Sequence, residues 1–367
     1  MAKSTFSHAA AALQGDSSKQ PGCSRALTPI SCGDRIASIA TVTIKRRVSR
    51  IPHIIATAFP CVMMINLSAE PTNKLYSWLP HDLEAEEIVI LPDACPGKSP
   101  LPTGTVVKLS QANWRKFAVS DVGCGMRLLR SDLEHISLEQ WNQVADLLKA
   151  NKGRLGDLGG GNHFLDALLP YSETRIYFLI HTGSRNESGL VDAYVDQPDE
   201  FDEVFQQTVQ WAYDNRSGVQ ETLEQVFGEL ELVLDLAHNT YETLPDGNVV
   251  IRKGTVKVMP GDLNIILSNM SGDIALVRAS NKVCQILNSL SHGIGRIVPR
   301  GECKSLAGSY DFATLRQRVM MPDCIQDASL RTEGPYAYRD LDRCLDLLQG
   351  YIKEVERFSV IAYMGHL

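Results

Sequence analysis

The chain has 367 residues, of which 44% are hydrophobic and 22% charged, and its formal net charge is −7. That length allows a substantial core in one or two domains, and the acidic balance excludes a generic polyanion-binding surface, so any nucleic-acid contact must come from a local basic patch. Nine cysteines without a CxxC pair or a regular spacing argue against a secreted disulfide framework or a zinc ribbon and for a reducing compartment.

The first 67 residues differ from the rest. Lys3, Lys19, Arg25, Arg35, Lys45, Arg46, Arg47 and Arg50 stand there against only Asp16 and Asp34, in a background rich in Ser and Ala. Such a composition is similar to an organellar transit peptide, and a disordered extension fits it equally well. The apolar run 51–67 contains Pro52, His53 and Pro60 and is short for a bilayer span of roughly 20 residues, so no membrane segment is expected. Residues 1–67 are read as an N-terminal extension and 68–367 as one large domain.

Within that domain, 87–91 (EIVIL) and 105–109 (TVVKL) predict strands flanking a Pro/Gly loop. Ser137 and Gln140 form a capping box for a helix through about Ala150, with Leu138, Trp141, Val144 and Leu148 as its apolar stripe. The loop GDLGGGNH follows, then the apolar stretch 164–169, then a buried-strand run, 176–180 (IYFLI), that stops at His181. Residues 201–230 predict two helices broken around 215–218, and 232–236 a short strand or helix end before His238. Strands are expected at 249–252, 255–259, 264–267 and 274–277, with a helix over 280–290. A last helix is expected over 340–360, carrying Leu341, Leu345, Leu348, Ile352 and Val355 at helical spacing. The alternation fits an α+β fold, mixed sheets flanked by helices, without a regular βαβ rhythm.

The segment DVGCGM places the carboxylate of Asp121 and the thiol of Cys124 three residues apart among glycines. A soft and a hard ligand together suit Mn, Fe, Co or Zn better than Mg or Ca. A lone cysteine is more often a small buried hydrophobe. Downstream, however, His163 (GGGNHF), His181 (LIHTGSR), His238 (LAHNTY) and His292 (SHGIGR) stand in small-residue loops, three of them straight after apolar runs. A histidine in such a place can serve as ligand or acid/base, and with Asp121 and Cys124 the set suffices for two transition-metal ions. Arg185 and Arg296 each follow a histidine by four residues and Lys253 lies in RKG, an arrangement suited to phosphate oxygens. Cys284, Cys303, Cys324 and Cys344 are expected to pack in or near helices, His366 to be solvated, and Trp78, Trp114, Trp141 and Trp211 to lie in the core.

DVGCGM, GDLGGGNHF, HTGSR, AHN, RKG, SHGIGR and EGPYAYRDLD occur in the order found in RtcB-type RNA ligases, and the resemblance covers roughly residues 85–360. It implies the RtcB-like fold and a Mn²⁺- and GTP-dependent joining of RNA 3′-phosphate or 2′,3′-cyclic phosphate ends to 5′-hydroxyl ends, in tRNA splicing or RNA repair. Asp121, Cys124, His163, His181 and His238 match the ligands of two Mn²⁺ ions, the sulfur bridging them. His292 matches the histidine that becomes guanylylated. Asn162 matches a contact to nucleotide phosphates, Asp166 stands where the family usually has a guanine-reading Glu, and Arg185 and Arg296 match phosphate-holding arginines. The expected partner is RNA, such as tRNA halves or cleaved RNA, with room for an activating protein. No membrane is involved, a monomer is expected, and the compartment is read as cytoplasmic, with an organelle left open by the basic N-terminus.

Departures from the family pattern cluster on nucleotide handling. PDACPG carries Cys95 where the family usually has His, although Asp93 is kept. LSNMSGDIA stands for the phosphate loop PGSMGTxS, so Asp273 is expected to put negative charge where an anion would be held. The sequence ends at MGHL, where family members continue to a Lys-Gly whose lysine reads the base. Two other readings therefore stand beside ligation: a metal-dependent RNA-end phosphoesterase, and a non-catalytic RNA-binding paralogue.

Overall fold

The computed structural model describes residues 62–367 except 98, 185, 186, 309 and 366. In chain order its strands are β1 (Met63–Asn66), β2 (Ala85–Cys95), β3 (Thr103–Leu109), β4 (Gly125–Arg130), β5 (Phe164–Pro170), β6 (Tyr177–Thr182) and β7 (Glu231–Ala237). They continue with β8 (Asn239–Thr243), β9 (Val249–Lys253), β10 (Thr255–Lys257), β11 (Leu263–Ile266), β12 (Asp273–Ala279), β13 (Ser289–Ser291) and β14 (Ile352–Gly365). A five-stranded sheet runs β1-β2-β3-β9-β8, a seven-stranded sheet runs β11-β12-β14-β5-β6-β4-β7, and β10 pairs with β13. Among these strands only β1 with β2 is parallel. This is the expected α+β architecture of mixed sheets flanked by helices.

Period-2 alternation sorts side chains between layers. Val89 and Leu91 of β2 join Met126 and Leu128 of β4 and Leu179 of β6 in one core between the two sheets. Ile88 and Ile90 point the other way, to a core with Trp114, Phe201 and Phe205. Leu129, Phe178 and Ile180 turn to the outer face of the larger sheet, where Trp141, Val144, Leu148, Val219 and Leu223 cover them from two helices. The first of these helices, Leu138–Ala150, starts at the expected capping box: Ser137 Oγ accepts from the Gln140 amide at 3.1 Å, and Gln140 Oε1 accepts from the Ser137 amide at 2.9 Å.

Several expectations are corrected. Regular structure starts at Met63, inside the stretch assigned to the extension, because β1 pairs with β2; residues 1–61 of that extension lie outside the described residues. The helix Pro198–Phe227 runs unbroken through Asn215, Ser217 and Gly218, whose polar groups are used by a neighbouring loop and by the helix itself. Residues Asn281–Ile286 form only a 3-10 turn, and Ser289–Ser291 is a strand. The last helix stops at Leu347, and Ile352–Gly365 is a strand held on both sides, by β12 and β5. Leu348, Ile352 and Val355 satisfy a helical period, but Gly350 at φ 88° turns the chain, and two flanking ladders decide the rest. Among the described residues no helix is long and apolar enough to cross a membrane.

Candidate metal centre

Four candidate ligands meet because four neighbouring antiparallel strands begin or end at one place. Cys124 precedes β4, His163 precedes β5, His181 is next to last in β6, and His238 follows β7. The ladders bring these ends level: Phe164 faces His181, and Gly125 faces both Thr182 and Ala237. Gly183 allows the closest approach, since a Cβ there would lie 2.9 Å from the Cα and Cβ of Cys124. Asp121 enters on a turn at φ 53°, a left-handed conformation that Asp tolerates better than most residues.

The result is two overlapping triads. Ligand atoms of Cys124, His181 and His238 lie within 4.8 Å of one another, as do those of Asp121, Cys124 and His163, so the cysteine is common to both. Cys124 Sγ is 3.5 Å from His163 Nε2 and 3.6 Å from His181 Nε2. Cys124, His163, His181 and His238 are all buried. Burial, followed by the neighbouring imidazoles, holds His181 and His238 well below the usual histidine range, so both rings are neutral, as ligation requires. Burial, and then Asp121, pushes the Cys124 thiol well above its ordinary range, a cost that a cation at the sulfur would reverse. The buried Nδ1 atoms of His181 and His238 have no hydrogen-bond partner among the described residues. A buried thiol and buried imidazoles beside a half-buried carboxylate fit a transition-metal ion.

His292 stands beside this cluster, its ring centroid 4.4 Å from that of His238 and 6.1 Å from that of His181. It is the more open member, with 15% of its side chain exposed. Its Nδ1 lies 2.6 Å from the Gly254 carbonyl oxygen and 2.9 Å from Asp93 Oδ2. Both partners accept, so Nδ1 carries a proton, and in the neutral ring the lone pair is on Nε2. Asp93 is thus the carboxylate that orients His292.

Other singled-out residues are placed as follows. Asn162 is exposed beside His163. Asp166 is buried in a pocket with Phe164, Met270, Glu333, Tyr338 and Tyr363, and burial pushes its carboxyl well above the usual range. Arg296 donates to Thr332 O at 2.7 Å, to Tyr338 Oη at 2.9 Å and to Glu333; burial opposes its charge, but Tyr338 and Glu333 hold it firmly cationic. Arg185 and His366 lie outside the described residues. Lys253 turns to Ser120, donating to its carbonyl at 2.9 Å. Asp273 accepts from Tyr171 Oη at 2.9 Å and from Ser359 Oγ at 3.3 Å and lies 4.0 Å from the Arg357 guanidinium. Cys303 and Cys344 are buried as expected, whereas Cys284 and Cys324 are exposed. Trp114 and Trp141 are buried, Trp78 and Trp211 half-buried.

Two asparagines and an arginine escaped the sequence reading. Asn239 donates to Asp121 O at 2.8 Å and accepts from the Gly254 amide at 2.8 Å, tying the DVGCGM loop to the RKG turn. Its signal was the AHN motif. Asn215 and Arg216 gave no signal other than an apparent helix break.

A family model described as "tRNA-splicing ligase RtcB" matches residues 191–365. The chain is similar to "RNA-splicing ligase RtcB2" of Escherichia coli, 25% identical over 334 residues that cover 75% of this chain and 87% of that protein. It is similar to "RNA-splicing ligase RtcB" of Escherichia coli K12, 25% identical over 52% of this chain and 56% of that protein. It is also similar to "tRNA-splicing ligase RtcB" of Nanoarchaeum equitans, 26% identical over 58% and 59%. The chain thus spans little more than half the length of the last two.

Proposed function

We propose, from its similarity to RtcB proteins, that the chain is a member of the RtcB family and an RNA ligase using GTP and two manganese ions. It would join RNA 3′-phosphate or 2′,3′-cyclic phosphate ends to 5′-hydroxyl ends, in tRNA splicing or RNA repair, as a cytoplasmic monomer. One observation carries this reading: two ligand triads share Cys124, and an oriented histidine with a free Nε2 stands beside them.

Asp121, Cys124, His163, His181 and His238 would hold the ions. Bound manganese supplies Lewis-acid polarisation of phosphoryl oxygens. Asp93 and the Gly254 carbonyl keep the proton on His292 Nδ1, so Nε2 can attack the α-phosphorus of GTP. The N–P bond forms as the bond to pyrophosphate breaks. An oxygen of the RNA 3′-phosphate then attacks the same phosphorus, and the N–P electron pair returns to Nε2. The 5′-hydroxyl oxygen attacks the activated RNA phosphate, its proton passes to solvent and GMP departs. A cyclic end is first opened by hydrolysis. Asn162, Asp166, Arg185 and Arg296 are proposed to contact the nucleotide and RNA phosphates.

The test is covalent labelling from radioactive GTP with Mn²⁺. His292→Ala should lose the label while keeping Mn²⁺ binding nearly intact; a label that persists in this variant would rule out His292 as nucleophile. One observation favours a second reading, a metal-dependent phosphoesterase opening cyclic ends without nucleotide: Glu333, Tyr338 and Thr332 already occupy Arg296. Cyclic-phosphate opening without GTP, in a protein that takes no label, would select it.

A further inference from the structure

The helix Pro198–Phe227 lies on the face of the larger sheet opposite the inter-sheet core, yet two consecutive residues reach the backbone that carries the candidate ligands. Arg216, with no exposed side-chain surface, donates through one terminal nitrogen to Gly123 O at 3.1 Å and Thr182 O at 3.2 Å. Gly123 precedes Cys124, and Thr182 follows His181. The Nε of the same guanidinium donates at 2.7 Å to Asp235 Oδ1, on the strand that leads to His238. A single planar group thus links three ligand-bearing segments, and its fork geometry is one that a lysine ammonium cannot reproduce.

Asn215 does the corresponding work for the fourth segment. Its Nδ2 donates to Asp157 O at 3.0 Å and Gly183 O at 3.2 Å, and its Oδ1 accepts from the Gly156 amide at 2.9 Å. Gly156 and Asp157 begin the loop that ends at His163, and Gly183 lies against Cys124. These bonds are buried, and the same Nδ2 lies 3.4 Å from Thr182 Oγ1. Strand ladders alone set the spacing of neighbouring strands, but the ligands sit at strand ends, where the ladder runs out.

We propose that Asn215 and Arg216 are positioning residues that set the separation of the ligands in the two triads, and thereby the affinity and stoichiometry of the metal centre. Arg216 governs Cys124 and His181, hence both triads. Asn215 governs the approach of the His163 loop, hence the triad of Asp121, Cys124 and His163. This rests on the metal reading given under Proposed function.

Arg127 is the internal control. It shares Asp235, with Nε 2.7 Å from Oδ2, but its other donors go to Ser217, Gln220 and Tyr213 on the helix and touch no ligand loop. The experiment is titration of the full chain with Mn²⁺ alone, followed by calorimetry and by the spin-coupled resonance of a manganese pair, with melting measured in chelator alongside. Arg216→Lys should weaken both ions on the order of 10- to 100-fold, the range for groups that orient metal ligands. Asn215→Ser frees the His163 loop and also the Gly183 carbonyl beside Cys124, so it should weaken the ion of Asp121, Cys124 and His163 more than the other and abolish the coupled signal. Arg127→Lys should lower the melting temperature and leave Mn²⁺ affinity unchanged. If Arg216→Lys does not fold, the split between the two ions in Asn215→Ser decides alone. Affinity that falls in all variants only in proportion to the loss of melting temperature, or that is unchanged in Arg216→Lys and Asn215→Ser, overturns the proposal. An unsubstituted chain that binds no Mn²⁺ overturns the metal reading itself.

Discussion

At the residue scale the chemistry depends on which atom of which ring is free. His292 is defined by two acceptors on Nδ1, a carbonyl 38 residues away in the chain and a carboxylate 199 residues away. Asp93→Asn removes the charged acceptor and can present an N–H to the ring instead, so it should slow guanylate labelling on the order of 10²- to 10⁴-fold, as loss of a histidine-orienting carboxylate does elsewhere. Mn²⁺ titration of that variant should match the unsubstituted protein. Asp166 gives a second prediction. Its folded pKa is raised, so the folded state keeps a proton that the unfolded state releases above the ordinary carboxylate range, and stability falls as pH rises through that window. Asp166→Asn carries no such proton. Its denaturation midpoint relative to the unsubstituted chain should therefore climb as the pH rises above the ordinary carboxylate range, by at most about 1.4 kcal/mol per pH unit; a difference independent of pH would contradict it. Asp121, Cys124 and the four histidines were legible because unlike ligand types in glycine-rich loops are uncommon. Asp93 and Asn239 were not, since a buried acceptor looks like any other Asp or Asn until its partner is known.

At the scale of elements, local propensity and tertiary contact disagreed in two places. Asn215, Ser217 and Gly218 are poor helix formers, which is why a break was expected. The helix continues because Asn215 is satisfied by the 156–157 loop and Ser217 by Tyr213 O, and because Gly218 has no side chain to hold that loop away. A Cβ on Gly218 would lie 2.7 Å from the Gly156 amide nitrogen. Gly218→Ala gains about 1 kcal/mol of helix propensity but meets the backbone of Leu155 and Gly156, and overpacking of this kind costs about 1–3 kcal/mol. The urea midpoint should fall; a rise would mean that the loop moves aside freely. In β14, Ile352–Gly365, the helical spacing of the apolar residues was accidental. Its central position between β12 and β5 is a property of the sheet, not of the segment.

At the scale of the whole molecule, the fold places candidate ligands from four strand ends around one sulfur. Because Cys124 belongs to both triads, its loss should affect both ions together. Metal that binds only the folded state should stabilise it by about 2.7 kcal/mol at a hundred times its dissociation constant. Melting of the unsubstituted chain should therefore rise on adding Mn²⁺ and fall again with chelator. Cys124→Ser should show no such rise; a full metal-induced shift in that variant would mean that the sulfur is not a ligand.

The sequence by itself determined the donor types, the glycine-rich loops that carry them, the capped helix Leu138–Ala150 and most strand cores, because each is a property of a few adjacent residues. Only the tertiary structure decided that β5, β6, β4 and β7 lie side by side with the ligand-bearing ends level, that Asp273 meets Tyr171 and Ser359, and that Asn215 and Arg216 stand behind the cluster. Strand order, register and the partner of a buried polar group are set by contacts between segments distant in the chain, and no local pattern encodes them.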